Sequence, residues 1–317
     1  MFDTAESAVE SAWKRGLAPD PVLTVDDWAN RHRMLSSVAS AEPGRWSSTR
    51  TPYLVEPMQC ASSFSPYERV VLQFATQLGK TEVLYNAVMQ RIHTEPQDLM
   101  MVQPTLQDAQ DHSGQRFLPT IQQTPALHGL VAIHRSRDES SSWRARSIQG
   151  GFAVFFGGAN SASSLASKPI GMAVADEVDK WPADVDNQGP PLALLEERMS
   201  NFSRRKLIIT STPTIKDAST IETEYLASDR RQYHVPCPHC GERQVLVAIS
   251  HSQSAAVDET GEAAILDHDV REARIAMRDN QIFISRPARL KAGEQLRRFK
   301  LLVLVIEIVL VDKARLH

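Results

Sequence analysis

An excess of charge of one sign is lacking in this chain: 35 Lys and Arg stand against 38 Asp and Glu, a net charge of −3 over 317 residues. No global field therefore draws the molecule toward nucleic acid or an acidic membrane surface, and any such contact has to come from local patches. Cysteine is scarce too. Cys60, Cys237 and Cys240 are the full complement, an odd number that excludes a disulfide framework and fits a reducing interior. Long apolar runs are missing as well. The longest, LLVLVIEIVLV from Leu301 to Val311, is too short for a bilayer and carries Glu307, so no membrane span is expected. The N-terminus, MFDTAESAVESAWKRG, has early acids and no apolar core, which excludes a signal peptide and reads as a short amphipathic helix. There is no internal repeat or low-complexity tract. What remains is a soluble chain, 42% hydrophobic and 23% charged, able to bury a substantial core in about two domains.

Residues 1–66 are mixed, with Trp13, Trp28 and Trp46 and the turn-rich stretch SAEPGRWSSTRTPY. From Arg69 the pattern becomes regular. RVVLQFA reads as a buried strand and KTEVLYNAVMQRIH as the helix after it. DLMMVQP is a second strand closed by Pro104, and TLQDAQDHSGQRFLPTIQQ a helix capped by Thr105. Three more strands follow, in GGFAVFFGGAN, IGMAVADE and KLIITSTPT. The helical PLALLEERMSNF lies before the last of them, with Pro191 suited to its first turn. Strands alternating with helices predict an α/β fold with a mostly parallel sheet covered on both faces. The boundaries expected from these shifts are 1–66, 67–235 for the α/β core, 236–250 for a hairpin carrying CPHCG, and 251–317 for an irregular tail.

Three strand ends carry candidate chemistry. QFATQLGKTEV ends like a Walker phosphate loop, G-x-x-x-x-G-K-[ST], with Gly79, Lys80 and Thr81 in place but Phe74 where the first glycine belongs. A glycine between a strand and a helix lets backbone N–H groups approach phosphates, Lys80 would reach them, and Thr81 would hold Mg²⁺. A chance GKT is the competing reading. IGMAVADEVDKW ends an apolar strand with Asp176 and Glu177, a costly placement unless the acids face a cation or a polar site. In a Walker B arrangement the first acid serves Mg²⁺ and the second polarises water. The alternative is an exposed acidic turn. IITSTPT offers Thr210, Ser211 and Thr212, small hydroxyls suited to sensing a γ-phosphate, or a plain strand end closed by Pro213.

Taken in order, GRWSSTRTPYLVEPM, RVVLQFATQLGKTEVLYN, MVQPTLQDAQDHSGQRFLPTI, GGFAVFFGGANSASSLASKPIGMAVADEVDKWP, PLALLEERMSNFSRRKLIITSTPT and YHVPCPHCGERQ resemble the phage terminase large subunit of the lambda-like GpA type, over roughly residues 20–247. The resemblance implies a P-loop NTPase of the ASCE, RecA-like kind that drives double-stranded DNA into a procapsid in the bacterial host cytoplasm. It implies ATP and Mg²⁺ as cofactors. Its implied partners are the small terminase subunit, the portal and further copies of the chain. Carried over by motif, Gln77, Leu78, Gly79, Lys80 and Thr81 fall in the phosphate loop and Asp176 and Glu177 in Walker B, with Thr81 and Asp176 on Mg²⁺ and Lys80 and Glu177 catalytic. Thr210, Ser211 and Thr212 match the segment that couples hydrolysis to movement. Arg50–Met58 lies where these ATPases approach the adenine, or is a plain packing segment. Arg198, Arg204 and Arg205 are candidates for an arginine finger reaching a neighbouring subunit, with Arg198 chosen, or form a solvated basic helix end. The Gly/Ser-rich GGANSASSLASKP, with Lys168 near its end, is a loop for DNA phosphates or a simple connection.

The chain departs from the family in two places. Cys237 and Cys240 form half of a zinc-ribbon-like site, and no cysteine follows, so Zn²⁺ would need His234, His239 or His251 at unusual spacing. The family's metal-dependent nuclease is not recognisable beyond Ser250, which suggests a truncated or frame-shifted prophage chain without endonuclease activity. On that expectation the tail is disordered or poorly packed, and Leu301–Val311 an exposed, aggregation-prone run. The competing functions are a non-catalytic remnant binding DNA or the small subunit, and a superfamily 2 helicase. The helicase is disfavoured because about 80 residues after the knuckle leave no room for a second RecA-like domain.

Overall fold

The structure, a computed structural model, describes Trp13, residues 22–36, 43–132, 142–166, 168–214, 218–236 and 241–245, and the backbone of three strands at 274–278, 281–285 and 306–312. In chain order, α1 (Val25–His32), β1 (Met34–Leu35), β2 (Gly44–Arg45) and α2 (Val55–Cys60) lead into β3 (Tyr67–Phe74). Next come α3 (Lys80–Thr94), β4 (Leu99–Gln103), α4 (Leu106–Asp111), α5 (Leu118–Gln123), β5 (Ala145–Ser147) and β6 (Ala153–Gly158). They are followed by α6 (Ala162–Leu165), β7 (Met172–Asp176), α7 (Pro191–Met199), β8 (Lys206–Ser211) and α8 (Thr220–Leu226). The remaining strands are β9 (Arg231–Gln232), β10 (His234–Pro236), β11 (Arg243–Val245), β12 (Arg274–Arg278), β13 (Gln281–Ser285) and β14 (Ile306–Asp312).

One sheet organises the molecule, in the order β5-β6-β4-β7-β8-β3-β14-β9. Its five central strands, β6, β4, β7, β8 and β3, run parallel, while β5 and β14 pair antiparallel with their neighbours. The central strands are nearly continuous apolar runs because both of their faces are covered. Their side chains alternate between two cores. Val70, Leu72 and Phe74 of β3 and Met172 and Val174 of β7 pack with α1, α2 and α3. Val71, Ala173 and Ala175 face the opposite way, toward α6, α7 and α8. The N-terminal segment is part of the first core, since Val25, Trp28, Leu54 and Met58 share it with Leu84 and Val88 of α3.

Two elements differ from what the sequence suggests. The single helix expected from Thr105 begins as predicted, with the Thr105 hydroxyl accepting from the Asp108 amide at 3.1 Å. It then widens into a π-helix over His112–Phe117 before α5. Pro119 gives the reason: it has no N–H and its ring crowds the carbonyl four residues back, and the wider turn relieves that crowding. The Leu118 amide accordingly bonds to the Ser113 carbonyl, five residues back.

The second difference concerns the tail. Where an irregular, poorly packed tail is expected, Ile306–Asp312 is a strand of the main sheet, paired with β3 from Ile306 opposite Phe74 to Asp312 opposite Tyr67. A run of alternating Ile, Val and Leu without Pro or Gly suits a strand with neighbours on both sides, and β9 occupies the other edge. β12 and β13 form a separate two-stranded hairpin. Among the described residues no helix is long and apolar enough to cross a membrane.

Candidate active site

Parallel strands all end at one edge of the sheet, so their terminal residues meet there whatever their distance in sequence. β3 enters that edge and continues as strand through Phe74, which is fully buried and faces the α1–α3 core. The chain turns only after this point. Gln77 (φ 63°) and Gly79 (φ 77°) both take left-handed backbone, on either side of buried Leu78. Gly79 is the N-cap of α3, and a Cβ there would stand 2.9 Å from Leu54 Cδ1. The backbone conformation therefore favours glycine at 79, and a Cβ there would also have to displace the Leu54 methyl. Gln77 itself is exposed.

α3 starts at Lys80 and points its free N–H groups and positive dipole end at the sheet edge. Lys80 is buried, and its ammonium donates to the Thr212 hydroxyl. Burial pushes the Lys80 pKa down, and the nearby Asp176 and Glu177 carboxylates oppose that shift. The Thr81 hydroxyl lies 3.3 Å from Asp176 Oδ2. Asp176, at the end of β7, is buried, and its other oxygen accepts from the Thr210 hydroxyl at 2.6 Å. Because β8 lies between β3 and β7, the hydroxyls of Thr210, Ser211 and Thr212 fall between the α3 N-terminus and the acidic tip. Six residues from three strand ends, Gly79, Lys80, Thr81, Asp176, Ser211 and Thr212, are thus assembled at one place.

Glu177 is the first residue beyond β7 and is left-handed (φ 54°, ψ 47°), a conformation that costs a non-glycine residue about 1 kcal/mol. Its carboxylate pairs with Lys180 at 2.5 Å. The turn is held by Asp179, which pattern reading treats as one more charge in DEVDK. Asp179 accepts from the Ile221 amide at 2.8 Å, the Thr214 amide at 2.9 Å and the Thr214 hydroxyl at 3.1 Å. Its own amide donates to the Ser211 hydroxyl at 3.2 Å. The acidic tip, the β8 tip and the start of α8 are therefore tied through one carboxylate. Asp179→Asn turns one acceptor into a donor facing the Thr214 donors, and it should lower unfolding free energy by about 2 kcal/mol, read as a lower urea midpoint.

Leu54 is a further contributor: it belongs to the Arg50–Met58 stretch and limits the space over Gly79. Next to it, Tyr53 packs edge-on against Phe74, with ring centroids 6.5 Å apart, and against Tyr233 at 6.2 Å. His112, in the π-helix, lies beside the Tyr85 hydroxyl at 3.2 Å, and burial lowers its pKa against the pull of Asp176.

Arg198, Arg204 and Arg205 are not brought to this edge. The Arg198 carbonyl accepts from the Ile170 amide ahead of β7, Arg205 pairs with Glu68 near the start of β3 at 3.0 Å, and Arg204 stands 3.8 Å from Glu95 beyond the end of α3. All three occupy the opposite rim, about 20 Å away along strands of this length. Lys168 stacks on Phe155, 5.0 Å from its ring centre. β10 and β11 pair antiparallel, but Cys237, His239, Cys240 and His251 lie outside the described residues. Among the described residues no group of His, Cys, Asp and Glu is arranged to hold a metal by itself.

A parallel sheet that turns through a glycine into a helix N-terminus, with a buried carboxylate and hydroxyls on adjoining strand ends, is the architecture of the P-loop class of ATPases. The profile described as "Phage terminase large subunit gpA, ATPase domain" matches residues 40–275, and the chain belongs to that family. It is 28% identical over 243 residues to the terminase large subunit of Enterobacteria phage P21, covering 76% of this chain and 37% of that protein. With the terminase large subunit of Escherichia phage lambda it shares 25% identity over 229 residues, covering 72% of this chain and 35% of the relative. The match thus spans little more than a third of the length of these relatives. Among solved structures, the large terminase ATPase domain of Thermus phage P74-26 is similar with a TM-score of 0.40 and 16% identity, over 57% of this chain and 73% of that one.

Proposed function

We propose that the chain is the ATPase motor part of a phage terminase, coupling ATP hydrolysis to packaging of double-stranded DNA into procapsids. The observation that supports this reading best is the convergence of Lys80, Thr81 and Asp176 at the N-terminus of α3, in a chain of the terminase ATPase family. In this reading the amides around Gly79 and the Lys80 ammonium bind the β- and γ-phosphates, and Lys80 exchanges Thr212 for phosphate oxygens as ATP enters. Because Thr212 ends β8, that exchange gives the strand tip a direct sense of phosphate.

The donor set fits a magnesium ion. A hydroxyl and a carboxylate oxygen 3.3 Å apart are close to the spacing, about 3 Å, of adjacent oxygens around Mg²⁺ with ~2.1 Å bonds. Thr81 and Asp176 would hold the ion, and when bound it would neutralise charge on the transferred phosphoryl group. Thr210 fixes the Asp176 carboxylate in position, and Glu177 orients and deprotonates the attacking water. Arg198, on the far rim, can serve only the site of a neighbouring copy, so the motor works as a homo-oligomer. The small terminase subunit and the portal are its further partners, in the host cytoplasm.

The test is phosphate release by the purified chain with ATP and Mg²⁺, with and without double-stranded DNA. Turnover should rise severalfold on adding DNA and fall at least tenfold in Lys80→Ala. Equal rates for Lys80→Ala and the unaltered chain would end this reading.

A further inference from the structure

The first turn of α3 carries a charge that a phosphate-binding helix should not tolerate. Glu82 follows Thr81, in the turn where the helix dipole would be spent on phosphate, and a carboxylate there both competes for that dipole and repels a polyanion. A buried cation meets it. Arg33, at the C-cap of α1, is 1% exposed and donates from Nη2 to Glu82 Oε2 at 2.8 Å. Its other donors reach one turn further along α3 to Asn86 Oδ1 at 3.1 Å, from Nε, and to the Met34 carbonyl at 2.5 Å, from Nη1. Gln90, one turn beyond Asn86, donates to the Leu23 carbonyl at 3.2 Å, and the Trp28 indole donates to His93 at 2.9 Å. The N-terminal segment is therefore bonded along most of the length of α3, and the buried Arg33 guanidinium falls at the phosphate end.

Resting on the nucleotide-site reading above, we propose that Arg33 is a positioning residue for nucleotide binding. It neutralises Glu82 and fixes the first turn of α3, so that the helix N-terminus presents its full positive field to the phosphates. A pair that served only to hold α1 on α3 could sit anywhere along the interface, whereas here buried Arg33 meets a half-buried Glu82 at the start of the helix. Placement one residue after Thr81 couples it to the charge of the ligand. Two consequences separate this role from plain packing. The Arg33 requirement should vanish when Glu82 is also made neutral, and it should grow with the number of phosphate charges.

The experiment measures ATP and ADP dissociation constants by calorimetry for the full chain, Arg33→Met, Glu82→Gln and the Arg33→Met/Glu82→Gln pair, each checked for folding by circular dichroism. Arg33→Met should weaken ATP binding at least tenfold and ADP binding less. Glu82→Gln should change either by less than threefold, and the double variant should return to within threefold of the original chain. Equal weakening of ATP and ADP by Arg33→Met, or a double variant as weak as the single, would overturn the proposal. If Arg33→Met does not fold, Arg33→Lys carries the test: it keeps the charge but loses the fork. It should bind ATP within threefold of the original chain, and a tenfold loss would overturn the neutralising role. Absence of ATP binding by the unaltered chain itself would instead remove the nucleotide-site reading, and the Arg33 role with it.

Discussion

Glu177→Gln is expected to lower the rate of ATP hydrolysis about a thousandfold while leaving ATP affinity within a few-fold, as general-base contributions of roughly 10²–10⁴ suggest. Three features of the site set this expectation. Glu177 follows Asp176 directly, but its left-handed backbone turns it away from the strand direction, so the two acids need not share one task. Asp176 is buried and has both oxygens occupied, by Thr210 and Thr81. Glu177 is partly exposed and, among the described residues, pairs with the exposed ammonium of Lys180, a partner it can release to water. Glutamine keeps the shape and a hydrogen-bonding oxygen but cannot accept the proton. Single-turnover phosphate release, alongside equilibrium ATP binding, separates the two effects. A parallel loss of binding would place Glu177 in the architecture of the turn instead of the chemistry. Glu177→Gly is a useful companion: it relieves a left-handed non-glycine residue, so stability should be retained while turnover is lost.

Much of this arrangement was legible from local pattern, for a physical reason. In a parallel sheet each buried strand is a short apolar run, and the functional side chains lie at its C-terminal end, so a strand and its first polar residues are read together. Gly79-Lys80-Thr81, Asp176-Glu177 and Thr210–Thr212 are each such a pair of strand and tip. Features set by the joining of distant segments were not legible. Asp179 looks like the charge beside it until the sheet brings Thr214 and Ile221 to it. Arg33 and Glu82 are 49 positions apart, and only the packing of α1 on α3 makes them partners. The π-helix follows from Pro119, which was visible, but its consequence depends on a carbonyl one turn away. The pairing of Ile306–Asp312 with β3 has no local signal beyond a suitable apolar run, because register between distant strands is fixed by the whole sheet.

Restoring the Walker consensus by Phe74→Gly should destabilise the chain by about 4–5 kcal/mol, the usual cost of truncating a buried Phe plus that of a glycine inside a strand. The first glycine of a standard phosphate loop serves a chain that must turn as soon as it leaves the strand. Here β3 runs on through residue 74, whose ring is wholly buried, packs edge-on against Tyr53 and faces the core shared with Leu54 and Leu84. The turn comes later, and its left-handed residues are Gln77 and Gly79. The sequence thus moves the turn toward the helix and gives the vacated position to the core. Urea unfolding should show the loss as a lower midpoint with an unchanged slope. Hydrolysis per folded molecule should not rise, because a glycine at 74 would face the α1–α3 core, whereas in the proposed reading the phosphates meet the backbone around Gly79. A variant that keeps its stability and hydrolyses faster would show instead that Phe74 holds the loop away from a better geometry.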